Sequence, residues 1–101
     1  MWNSIENGST IGEYGSEGGE IIRDIEHIQG ARLTLEKNTT IAPFAITSGV
    51  YGCFFHTTFL GNIEEANEIL EKMKTDISNY LAAQMENEEQ YKWIENFVAN
   101  Y

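Results

Sequence analysis

The sequence predicts an α+β domain. An antiparallel β-meander of roughly four or five strands leads into one long amphipathic helix and a second helix or bent continuation, packed on one sheet face. Three observations predict it. Between residues 20 and 60, short runs rich in β-branched and aromatic residues are separated by Gly, Asn and Ser. From residue 62 the apolar spacing changes from two to three and four. The densest aromatic stretch, residues 50–60, stands immediately before that change, with large apolar groups at both parities, as suits a strand covered on both faces. The whole chain, 1–101, reads as one domain, with a sheet part over 1–61 and a helical part over 62–101.

Each element has its own signal. Asn7-Gly8 is a short-hairpin dipeptide between Trp2/Ile5 and Ile11/Tyr14, so a hairpin over 1–14 is a possible addition to the sheet. Gly12, Gly15, Gly18 and Gly19 follow, interleaved with Glu13, Glu17 and Glu20. Those carboxylates would oppose a bound phosphate, so this segment reads as a flexible loop and not as a nucleotide cradle. Residues 20–28 form a strand by β-branched content, and Gln29-Gly30 turns the chain. Residues 31–37 alternate cleanly, with Ala31, Leu33 and Leu35 inward and Arg32, Thr34 and Glu36 outward. After the turn Asn38-Thr39-Thr40, residues 41–47 form the next strand, with Pro43 near its start or at a bulge because proline cannot donate to the ladder. Ser48-Gly49 links this strand to a long one at 50–60.

Asn62-Ile63-Glu64-Glu65 has the form of a helix cap. Ile63, Ala66, Leu70, Met73, Ile77 and Tyr80 make the apolar seam behind it, with Glu68 and Lys72 paired on the outside. The seam continues through the polar positions Gln84 and Asn87 to Tyr91, Ile94 and Val98. That interruption predicts a break near 85–88 and a second helix over 88–99 capped by Asn87. An unbroken helix would run to roughly 56 Å at about 1.5 Å per residue, too long for a domain of this size.

The net charge is −10, from 16 acidic and 6 basic side chains. It disfavours nucleic acid and anionic membrane surfaces, and leaves a basic protein, a cation or a neutral ligand as partners. A single cysteine cannot form an internal bridge and points to a reducing compartment, the cytoplasm. Residues 1–6 contain neither a basic region nor an apolar run, so no signal peptide or membrane span is expected.

No catalytic spacing is present. Cys53 and His56 lie three apart on one predicted strand, hence on opposite faces, and only His27 from another strand could partner the thiol. Two histidines with scattered carboxylates match no metal-ligand spacing, and no cofactor motif occurs. If the helices cover the Tyr51/Cys53/Phe55/Phe59 face, the other face carries Arg32, Glu36, Phe54 and His56, with Asp24 and Glu26 joining according to register. A small ligand site would then use Arg32 for an anionic group, His56 or Glu26 as acid/base, Glu36 beside them and Phe54 as an apolar wall. The plainer reading of these residues is cross-strand ion pairing. Trp93, Phe97 and Tyr101 supply aromatic surface on the second helix, which either packs on the sheet or forms a subunit interface. The function expected from all of this is a non-catalytic acidic interaction protein. It would be a homo-oligomer, most simply a dimer, with a basic protein as a further partner. The alternative is a small-molecule-binding protein or enzyme using the sheet face.

Overall fold

The computed structural model describes all 101 residues. Five strands, β1 (Trp2–Ser4), β2 (Glu20–His27), β3 (Ala31–Lys37), β4 (Phe44–Val50) and β5 (Phe54–Leu60), form one antiparallel sheet in sequential order. Two helices, α1 (Ile63–Ala82) and α2 (Asn87–Asn100), follow and lie on one sheet face. No helix is long and apolar enough to cross a membrane.

The clean alternation of β3 sets the polarity of the sheet. Leu33 and Leu35 are fully buried, and they meet Leu70, Met73 and Ile77 of α1 in the core. Burying each such side chain contributes about 1.5–3 kcal/mol. The expected α1 seam is the one observed, with Ala66, Leu70, Met73, Ile77 and Tyr80 buried. Asn62 caps the helix by accepting the Glu65 N–H at 2.8 Å. Glu71, not Glu68, takes the surface ion pairs, with Arg23 at 3.1 Å and Lys74 at 3.3 Å.

The amino-terminal hairpin is corrected. Asn7-Gly8 does turn the chain, with φ of 55° at Asn7 and 86° at Gly8. No strand returns against β1, however. Trp2, Asn3 and Ser4 pair instead with His27, Glu26 and Ile25 of β2, whose longer ladder offers more hydrogen bonds than the short mixed run after Gly8.

The boundaries of the last two strands also move, and this decides the faces. Proline lacks the N–H a ladder needs, so Pro43 stays outside and β4 begins at Phe44. The strand expected at 50–60 is divided by a tight turn. The Cys53 N–H donates to the Val50 carbonyl at 2.9 Å, and Gly52 takes φ +78°, as the third position of a type II turn requires. Val50 then lies opposite Phe54, Ser48 opposite His56 and Ile46 opposite Thr58. Ile46 is also opposite Leu35, so Val50, Phe54, His56, Thr58 and Leu60 share the helix-covered face. Phe55, Thr57 and Phe59 occupy the uncovered one. This reverses the expected covering.

The helical break is where the interrupted seam puts it, between Ala82 and Asn87, and Glu86 rather than Asn87 caps α2. Glu86 and Glu89 bond reciprocally to each other's backbone N–H groups. With the break, the chain fits a longest dimension of 38 Å. The break also resets the helical phase. Tyr91 and Val98 turn outward, while Trp93 and Phe97 turn inward. Trp93 stacks on Tyr80 at 4.2 Å between ring centroids and Phe97 reaches Phe54 at 5.4 Å. Tyr101 closes the stack against Phe97 and donates to Asp76. Of the three aromatics expected as possible interface residues, Phe97 is buried within the chain, while Trp93 and Tyr101 pack against the core and stay half-buried.

Candidate functional site

The face of the sheet opposite the helices has two unlike halves. Over β2 and β3 it is ionic. Asp24, with a fully buried side chain, accepts Arg32 Nε at 3.0 Å, Arg32 Nη2 at 2.7 Å and Thr34 Oγ1 at 2.8 Å. This fork-to-carboxylate bond raises the Arg32 pKa above its already high ordinary value. Beside it the Tyr51 hydroxyl donates to Glu26 at 2.7 Å. Burial, then the bond to Glu26, pushes the Tyr51 phenol up to about 12.

The residues proposed for a ligand site are divided by this geometry. Arg32 and Glu26 share the uncovered face with Asp24, through the pairing of Glu26 with Arg32 and of Asp24 with Thr34. His56 and Phe54 stand on the opposite face, because the Val50–Cys53 turn sets their parity. The expected Arg32–His56 pocket is therefore not formed.

Glu36 is on the uncovered side but fully buried. The glycine-rich loop closes over it, and its carboxylate accepts the N–H groups of Glu17 at 3.2 Å and Gly19 at 3.0 Å. The loop does cradle an anion, and the anion is the chain's own side chain. Cys53 is exposed and its nearest polar partner is the Tyr80 hydroxyl at 3.9 Å. His27 instead contacts the amino terminus at 2.7 Å and the Gln29 N–H at 3.0 Å, so no thiol–imidazole pair is assembled. Burial, then the positive amino terminus, lowers the His27 pKa. No group of three or more His, Cys, Asp or Glu side chains is placed to hold a metal ion.

Loop residues Thr10 and Tyr14 overhang the ionic half. With Arg32, Thr34, Thr47 and Phe55 they bound a hollow of about 340 Å³. The hydroxyls of Thr10 and Thr47 are buried there without a hydrogen-bond partner. Sequence reasoning missed both threonines, since nothing local marks a loop residue as overhanging a strand. Thr47 was detectable only by carrying the β3 alternation across to its neighbour.

Over β4 and β5 the same face bears no charge. Ala45, Thr47 and Gly49 alternate with their cross-strand partners Phe59, Thr57 and Phe55. Phe55 is 70% and Phe59 42% exposed. The Phe55 ring lies over Gly49, where a Cβ would approach Cδ1 to 2.5 Å. The glycine lets the ring lie flat, and the ring shields a backbone that has no side chain of its own.

Comparison with protein-family models, with curated proteins and with solved structures finds no match.

Proposed function

We propose that this chain is a non-catalytic, acidic interaction protein that works as a homo-oligomer through the uncovered sheet face. The observation that carries this reading is the charge-free half of that face. Two exposed phenylalanines, Phe55 and Phe59, stand there with the uncharged Gly49, Thr47 and Ala45 as their β4 neighbours, in a chain of net charge −10. Clustered apolar surface of this kind marks an interaction site far better than single exposed residues do. Phe59→Ser combined with Phe55→Ser removes the aromatic surface without touching the core. Sedimentation velocity should give an oligomer for the parent chain and a monomer for the double variant. A monomeric parent chain at high concentration ends the reading. A reducing compartment suits the lone exposed Cys53, which oxidising surroundings would couple to other thiols.

The charge suits a further, basic protein partner, with long-range attraction steering the encounter. Association with a lysine- or arginine-rich partner should then slow as salt rises, and a rate indifferent to salt removes this part.

A second reading draws on the two partnerless hydroxyls, Thr10 and Thr47, which favour a small-molecule site in the overhung hollow. Arg32 is already engaged by Asp24 and Glu13 lines the same hollow, so a small neutral or cationic ligand fits better than an anion. Thermal shift against neutral and cationic fragments tests it, with Thr47→Val expected to abolish any stabilisation. Fragments that stabilise both proteins equally would place the site elsewhere.

A further inference from the structure

We infer that two copies of the chain join by antiparallel pairing of β5 with β5 of the second copy, about a two-fold axis at Thr57, making one continuous sheet. This rests on the homo-oligomer reading and moves its contact from the open face itself to the β5 edge that borders the charge-free half of that face.

The two edges of the sheet are built differently. β1 is three residues long, and the ladder behind it is irregular between Ile21 and Arg23. β5 offers seven residues, Phe54–Leu60, in unbroken register with β4. Edge strands are ordinarily protected by charges, proline, bulges or brevity. The run Phe-Phe-His-Thr-Thr-Phe-Leu has none of these. Its backbone groups on the free side stand ready for another strand.

Charge selects a second copy as that strand. Two molecules of net charge −10 repel wherever their acidic surfaces meet. The β5 edge and its neighbours on β4, from Ala45 to Val50, contain no Asp, Glu, Lys or Arg. The strands further into the sheet differ, since β2 and β3 both carry ionised side chains.

The strand is also self-complementary. Thr57 is its midpoint, so a two-fold axis there sets Thr57 opposite Thr57 of the second copy. Phe55 faces Phe59 of the second copy twice over on the open side, an aromatic cross-strand pair of the kind that stabilises sheets. On the helix side Phe54 faces Leu60 of the second copy. His56 faces Thr58 of the second copy, also twice. Within one chain His56 Nε2 and Thr58 Oγ1 are both buried and both lack a hydrogen-bond partner. This register stands each opposite a group of matching chemistry, a hydroxyl donor and an imidazole acceptor.

Two variants of the full chain test the pairing. Thr57→Lys puts two ammonium groups face to face across the axis while leaving the half-buried side chain room to extend outward within one copy. Sedimentation should show dimer dissociation at least about tenfold easier, since like charges set opposite each other cost several kcal/mol. Far-ultraviolet circular dichroism checks that this variant is folded. Thr57→Cys in a Cys53→Ser background sets a thiol opposite itself, with Cα atoms about 4.5–5.5 Å apart, inside disulfide range. Mild oxidation should link it into a covalent dimer, whereas Thr75→Cys on exposed α1 in the same background should stay unlinked. A parent dimer that survives Thr57→Lys and gives no Thr57→Cys cross-link overturns the edge pairing and leaves the homo-oligomer reading standing. Dissociation by Phe59→Ser but not by Thr57→Lys would mean stacked faces, and also overturns it. A parent chain that is monomeric at every concentration overturns both.

Discussion

Gly15 and Glu36 occupy neighbouring space so closely that a Cβ on the glycine would lie 2.3 Å from the carboxyl carbon of the glutamate. Glu36 has no exposed surface and is held by the Glu17 and Gly19 N–H groups, so its side chain has nowhere to swing. Gly15→Ala should therefore destabilise the chain by about 1–3 kcal/mol, the range for an overpacked interior. Glu36→Gln keeps the shape and one oxygen that can accept from both N–H groups, but removes the charge and sets an NH2 group where the second oxygen shares the Glu17 N–H, and should cost about 1 kcal/mol. Urea denaturation of both variants measures this; unchanged midpoints would mean the loop does not depend on the carboxylate.

Asp24 accepts three hydrogen bonds from Arg32 and Thr34 while fully buried, whereas the Arg32 side chain is 40% exposed. Asp24→Ala strands a hydroxyl and one end of a guanidinium, and solvent at the arginine softens the loss. The expected cost is about 1–3 kcal/mol, below that of a fully buried pair. Arg32→Lys loses the two-pronged bond and should fall between parent and Asp24→Ala in the same denaturation series.

Tyr51 is pushed up to about 12 from an ordinary 10.0, first by burial and then by its bond to Glu26. A phenol whose folded pKa is raised adds stability that is complete below its unfolded pKa. That stability fades as pH rises from about 10 through about 12. Phenolate absorbance against pH should reveal a late-ionising tyrosine lost in Tyr51→Phe. Glu26→Gln should bring it down only part of the way, because burial is the larger cause.

Phe97 is 3% exposed and joins α2 to Phe54 of β5, with Trp93 stacked beside it one turn earlier in the same helix. Phe97→Ala should cost about 3–5 kcal/mol, the range for removing a buried phenylalanine. Trp93 fluorescence should shift to the red as α2 loosens, while the α1-covered sheet stays folded. An unchanged spectrum and midpoint would mean that α2 is held by other contacts.

How much of this was legible follows from how far each signal reaches. The α1 seam, the Asn62 cap and the β3 alternation were readable because each is a pattern within one element. The helical break was readable because Gln84 and Asn87 interrupt a stripe. Its cap was misplaced by one residue because Glu86 and Asn87 both precede acidic positions. The inward side of α2 was misread because the break resets the phase, so extending the α1 seam pointed at Tyr91 and Val98 instead of Trp93 and Phe97. The ligand constellation failed on parity. Residues 50–60 carry aromatics at both parities, so nothing in the run itself says that Tyr51, Gly52 and Cys53 leave the strand and turn it back.

The sequence by itself determined the meander order, the α1 helix and the interruption that follows it, the α1 and β3 core positions and the acidic balance, all set by local period and composition. Only the tertiary structure decided which face of β5 the helices cover, that Glu36 belongs to the glycine loop, and that β5 ends the sheet uncharged and uncapped. Those outcomes depend on pairing between strands and on a loop returning from far along the chain. A residue's neighbours across a sheet are chosen by the turn that sets the register and by the buried leucines that fix the inside, not by the residues beside it in the chain.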